Sequence, residues 1–258
     1  MNTPIATLSM YDWPEVSYSI DALWDAIQHQ LALLDINAPI GLTRNRSASD
    51  LWHDPNLIVG QTCGWPYANK LRETVIPFAR FDYGLEDCPA GHYNSVFIGN
   101  QPGQKTLLKS ADALLSAKAI AVNSDDSQSG FRVFGEILGK PPKGLFEENQ
   151  LITTGAHRNS LLAIAKGDAE IAAIDSVAFE LAKSFEPEAV SQVHLIGKSQ
   201  PKPGLPLITS KANGHLSKAL LEAVTSAVEA LDNNTRSALH IKNVIPASDE
   251  EYKVFAEI

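Results

Sequence analysis

"LITTGAHRNSLLAIAKGDAEIAAIDSVAFELAKS", Leu151–Ser184, decides the fold. Leu151–Thr154 is a short apolar run that stops at Gly155. "HRNSLLAIAKG" (His157–Gly167) then carries apolar residues at helical spacing. The pair recurs at once, with "EIAAI" (Glu170–Ile174) as a strand and "SVAFELAKS" (Ser176–Ser184) as a helix. Upstream, "AIAVN" (Ala119–Asn123) and "SGFRVFGEIL" (Ser129–Leu138) read the same way. Consecutive strand–helix units with continuous apolar strands predict a parallel sheet covered on both faces, an α/β fold.

Outward from this block the alternation continues. "IATLSM" (Ile5–Met10), "APIGLT" (Ala38–Thr43), "NLIVGQ" (Asn56–Gln61), "YNSVFIGN" (Tyr93–Asn100) and "SQVHLIG" (Ser191–Gly197) read as strands. Ser19–Leu34 reads as a helix with Leu23, Trp24, Ile27, Leu31 and Leu34 on one face. "YANKLRETV" reads as a short helix, and 214–231 and 249–257 as helical segments. The Pro/Gly clusters near 101–104 and 140–144 read as loops, and no long interdomain linker is present. Two lobes, if present, are joined by strands.

Length and composition limit the function. The chain has 258 residues, 44% hydrophobic and 20% charged, enough for a real core. A net charge of −9 without a basic stripe argues against nucleic acid as a partner. No apolar run approaches a membrane span. The first residues lack a basic segment followed by an apolar one, so no signal peptide is expected and a cytosolic location stays open. Cys63 and Cys88 lack metal-type spacing, and no metal site is expected. The two could form a disulfide or remain separate thiols.

In an open parallel sheet, ligands bind beyond the carboxyl ends of the strands. The residues there are Tyr11-Asp12-Trp13, Ser124–Gly130, Gly155-Ala156-His157 and Asp175-Ser176. Ser127 and Ser129 would offer hydroxyls beside helix-end amides, and Gly130 would let a ligand approach the backbone. Either serine could instead simply cap the helix. His157 would aim an imidazole N–H outward at the next helix start, or be a surface or capping histidine. Asp175 repels an anion unless the ligand carries a proton. Phosphate-type groups carry one part of the time near neutrality and sulfate does not. An N-cap is the alternative role for Asp175. Ser127, His157 and Asp175 are also the residue types of a hydrolase triad, but Ser127 lacks the G-x-S-x-G elbow. The aromatics Tyr11, Trp13, Trp65, Tyr67 and Tyr93 read mainly as packing, with some able to wall a pocket.

Taken in order, "AVNSDDSQSGFRVF", "TTGAHRNSLLAIAKGDAEIAAIDSVAFELA" and "PKPGLPLIT" resemble the substrate-binding proteins of phosphate, phosphite and phosphonate ABC importers. "VGQTCGWPY" and "CPAGHYNSVFI" resemble a divergent branch. The resemblance covers about residues 5–210. It implies a type II periplasmic-binding-protein fold: two α/β lobes joined by crossing strands, with a ligand cleft between. It places lobe 1 at 1–95 plus 196–258 and lobe 2 at 96–195. It carries the oxyanion onto Ser127, Ser129, His157 and Asp175, with Gly130 beside them, and suggests Tyr11 closing over them. It implies a periplasmic, monomeric binding protein without cofactor or catalysis, partnered by an importer permease. Gln128 departs from a frequent threonine, which removes a hydroxyl. No acidic residue stands ready for a ligand amine. An intracellular sensor, or an enzyme acting on a small carboxylate or heterocycle, remains an alternative on the same fold.

Overall fold

A computed structural model describes residues 3–256. The chain divides into two compact units, one of residues 3–92 with 203–256 and the other of Tyr93–Lys202.

The first unit is built on a five-stranded sheet. Its order is Ile5–Thr7, Leu57–Gln61, Pro206–Ser210, Val75–Asp82, Asn243–Pro246. Ile5–Thr7 and Leu57–Gln61 run parallel, while Pro206–Ser210 is antiparallel to both of its neighbours. The helix Ser17–Leu33 turns Ile20, Leu23, Trp24, Ile27 and Leu31 inward, at the spacing expected of one face. Leu34 lies just past its end and is exposed. Ser217–Ala230 packs against it and buries Leu220, Ala223, Val224, Ala227 and Val228.

Three strands of this sheet, Val75–Asp82, Pro206–Ser210 and Asn243–Pro246, are absent from the sequence reading; each contains a proline. Proline removes a ladder donor and is tolerated at strand starts and bulges. Pro206 opens its strand, and Pro77 sits opposite Ile208 where the register slips by one residue. Conversely, Ala38–Thr43 is not a strand. Only the Thr43 amide reaches the edge strand, at Ala6 O, while the Pro39 carbonyl accepts from Trp24 Nε1.

The second unit carries the block that opened the sequence reading. Its sheet order is Leu151–Thr153, Ile120–Val122, Ile171–Asp175, Ser95–Gly99, His194–Lys198. The first three strands are parallel, as the strand–helix alternation predicts. Ser95–Gly99 is antiparallel to the strands on either side. All five residues of both Ile171–Asp175 and Ser95–Gly99 are buried, the mark of strands covered on both faces. Phe97, Ile120, Val122, Phe131, Phe134 and Ile171 share the core on one face.

The helix expected from Ser129 begins later. Residues 128–131 form a turn, followed by a 3-10 turn at Arg132–Phe134 and a short α-helix at Gly135–Leu138. Cys63 and Cys88 are both partly exposed and are not joined by a disulfide.

Candidate functional site

The second unit gathers four of the predicted residues. Ser127 and Ser129 are buried in the turn after Ile120–Val122. His157 opens the helix His157–Lys166, and Asp175 ends the strand Ile171–Asp175. Ser129 Oγ lies 2.9 Å from His157 Nε2. The Asp175 amide points at His157 Nδ1 from 3.4 Å. The strand ends at 122 and 175 and the helix start at 157 thus bring serine, imidazole and aspartate to one edge of the sheet.

The turn differs from the expected helix start. Ser127 closes it twice. Its Oγ accepts from Gly130 N at 3.0 Å, and its carbonyl accepts from Phe131 N and Arg132 N. Val133 N donates to Gln128 O. The amides of residues 130–133 therefore close the turn, and the Ser127 and Ser129 hydroxyls are its side-chain donors. Gln128 is half-buried and contributes its carbonyl here. Gly130 also has a packing reason. A Cβ there would lie 1.9 Å from Asn123 Oδ1 and 3.0 Å from His157 Cε1.

Asp175 is an N-cap, one of the two roles the sequence allowed. Its Oδ1 accepts from Val177 N at 2.8 Å and Ala178 N at 3.2 Å, starting the helix Ser176–Phe185. A cap of this kind is worth about 1 kcal/mol. One oxygen serves both amides.

His157 is half-buried, with its ring between Ser129 and Asp175. Burial pushes its pKa down to about 4, and a hydrogen bond with the Ala173 backbone offsets only part of that. The ring is neutral at pH 7, so it acts on a ligand as a dipole and not as a cation. A stability consequence follows. The unfolded chain takes up a proton near pH 6.5 and the folded chain refuses it until about 4. Folding is favoured above pH 6.5, and the cost grows as pH falls towards 4, reaching about 2 kcal/mol at pH 5. Melting temperatures at pH 7 and pH 5 should fall less in His157→Gln than in the parent, by about 4–8 °C. Equal falls would show that the imidazole is not buried neutral.

Arg158 does not join the site. It bonds Glu186 Oε1 at 2.6 Å. Tyr11 belongs to the other unit, where it is buried and meets Tyr83 edge-on at 5.4 Å. Trp65, Tyr67 and Tyr93 are buried, consistent with packing. Among the described residues no cluster could hold a metal ion, and no helix is long and apolar enough to cross a membrane.

Sequence reasoning missed the polar residues that hold this turn from behind. Ser95, at the start of its strand, is 2% exposed, and its Oγ donates to Ser129 O at 2.8 Å. Ser199 Oγ accepts from Ser95 N, and Ser176 Oγ accepts from Asn94 N. Asn123 Oδ1 is buried against Gly130 with no partner among the described residues. The available signal was a polar pair, Asn94-Ser95, opening an otherwise apolar strand.

Residues 59–252 match the family of periplasmic substrate-binding proteins of phosphonate ABC transporters. The chain belongs to this family. No curated protein matches it in sequence. Among solved structures, a binding-protein component of an ABC phosphonate transporter from Pseudomonas aeruginosa is similar, with a TM-score of 0.71 at 16% identity over 97% of this chain and 84% of that one. PhnD1 from Prochlorococcus marinus, in complex with methylphosphonate, has a TM-score of 0.67 at 16% identity over 98% and 95%. A Xanthomonas citri protein bound to ATP has 0.69 at 12% identity over 98% and 97%. These likenesses show the fold, the type II periplasmic-binding-protein arrangement of two α/β lobes, as the resemblance implied.

Proposed function

We propose that this substrate-binding protein holds a small phosphorus oxyanion, a phosphate, phosphite or phosphonate, and delivers it as a monomer to an importer permease without chemical change. Ser127, Ser129 and His157 are the donors, with Asp175 and Gly130 setting the edge. One observation carries the reading: Ser129 Oγ and His157 Nε2 meet at 2.9 Å at the carboxyl edge of a parallel sheet. Hydroxyl and imidazole dipoles suit an anion that must be released again. Asp175 adds selectivity. A carboxylate at this edge accepts the proton of a singly protonated phosphorus ligand and repels sulfate, which has none to give. Gln128, standing where threonine is frequent, offers no hydroxyl to the ligand.

A hydrolase reading has a superficial claim, because Ser129, His157 and Asp175 adjoin in that order. Two features oppose it. Asp175 meets His157 through its backbone amide while Oδ1 caps a helix. A histidine with a pKa near 4 is also a weak general base at neutral pH.

A thermal-shift panel tests the proposal: phosphate, phosphite, methylphosphonate, 2-aminoethylphosphonate, sulfate and simple carboxylates. Ligand at 100 times its Kd adds roughly 2.7 kcal/mol, about 5–10 °C for a chain of this size. A rise with at least one phosphorus ligand and none with sulfate is expected. A flat panel, or a rise only with carboxylates, would reject the proposal.

A further inference from the structure

Four of the hydrogen bonds and pairings above close into a ring. Ser95 Oγ donates to Ser129 O at 2.8 Å. Ser129 Oγ meets His157 Nε2 at 2.9 Å. His157 Nδ1 faces the Asp175 amide at 3.4 Å. Asp175 stands directly opposite Ser95 in the antiparallel pair of strands. The ring passes through three of the proposed ligand residues and one residue that touches no ligand in the proposal.

Ser95 is held unusually firmly. Its amide donates to Ser199 Oγ and its carbonyl accepts from Ser199 N, both at 2.9 Å. It is 2% exposed, so water does not compete for its hydroxyl. A carbonyl can only accept, so the Ser95 hydroxyl proton is fixed on Ser129 O. The Ser129 residue is therefore gripped at two points, its backbone by Ser95 and its side chain by His157. Loss of the first grip leaves a buried carbonyl without its partner and frees the turn to rotate.

We propose that Ser95 is a positioning residue of the anion site: its hydroxyl, bonded to Ser129 O, fixes the direction in which the Ser129 hydroxyl is presented to the ligand. This rests on the oxyanion reading of Ser127, Ser129 and His157. The role explains why an otherwise apolar, fully buried strand opens with a serine at the point opposite Asp175.

The test uses isosteric variants. Ser95→Thr keeps the hydroxyl and Ser95→Val replaces it with a methyl of the same shape, and both suit a strand. Each is titrated with methylphosphonate and with phosphite in the full chain, with melting curves as the check on folding. Ser95→Val should bind about tenfold more weakly than Ser95→Thr. A merely structural serine would give losses that add to any other loss. Here the Ser95→Val loss should vanish in a Ser129→Ala background, because the residue acts through the Ser129 hydroxyl. Equal affinities for the two variants, alongside a weakened Ser129→Ala, would overturn the positioning role and leave the anion site standing. Undiminished binding in Ser129→Ala itself would overturn both. A tenfold difference that persists unchanged without the Ser129 hydroxyl would also overturn the positioning role.

Discussion

Gly130→Ala should fold and lose ligand binding by roughly 100-fold or more. The added Cβ would fall 1.9 Å from Asn123 Oδ1, 2.8 Å from Asn123 Cγ and 3.0 Å from His157 Cε1. None of these can be met without movement. Asn123 Oδ1 is already buried against the glycine, and the His157 ring is held at Nε2 by Ser129. Overpacking of this kind costs about 1–3 kcal/mol, a fall of roughly 2–12 °C in melting temperature for a chain this size. The damage to binding should be larger than the damage to stability. Displacing His157 and Ser129 together forfeits two hydrogen bonds to a charged ligand, each worth about 1.5–3 kcal/mol, hence the roughly 100-fold figure. Calorimetric titration with methylphosphonate beside a melting curve separates the two effects. Full affinity in a folded Gly130→Ala protein would mean the ligand does not depend on this corner.

Asp175→Asn should keep the fold and lose discrimination against sulfate. Asparagine caps helices about as well as aspartate, so the amides of Val177 and Ala178 keep an acceptor. Asp175→Ala removes it and should cost about 1 kcal/mol of stability. The comparison isolates charge from capping. With the carboxylate gone, a fully deprotonated anion is no longer repelled, and a singly protonated one loses its acceptor. The ratio of phosphonate to sulfate affinity should fall by at least about tenfold, the worth of one charge-assisted hydrogen bond. An unchanged ratio would assign Asp175 to the cap alone.

Much of the second unit was legible in the sequence. Each of its three parallel strands is a short apolar run followed by a polar break and an amphipathic segment, so period and length agree. The residues after those strands converge because parallel strands end on the same side, which is why Ser129, His157 and Asp175 could be grouped before any distance was known. The first unit was less legible. Pro77 and Pro206 argue locally against strands, and a register slip that admits Pro77 is set by the partner strand rather than by neighbours in sequence. The sequence suggests a helix start at Ser129, because serine and glycine there also suit a cap. The Ser127 carbonyl instead takes two amides and delays the helix to Arg132. The close approach of the His157 ring to the turn relies on Gly130 lacking a side chain, a contact made across 27 residues. Ser95 was invisible for the same reason: its meaning lies in a carbonyl 34 residues away.

The most direct measurement is a crystal structure of the protein grown with methylphosphonate. Ligand oxygens should lie within about 2.6–3.2 Å of Ser127 Oγ, Ser129 Oγ and His157 Nε2. A phosphonate bound elsewhere, with those three side chains untouched, would contradict the proposed function.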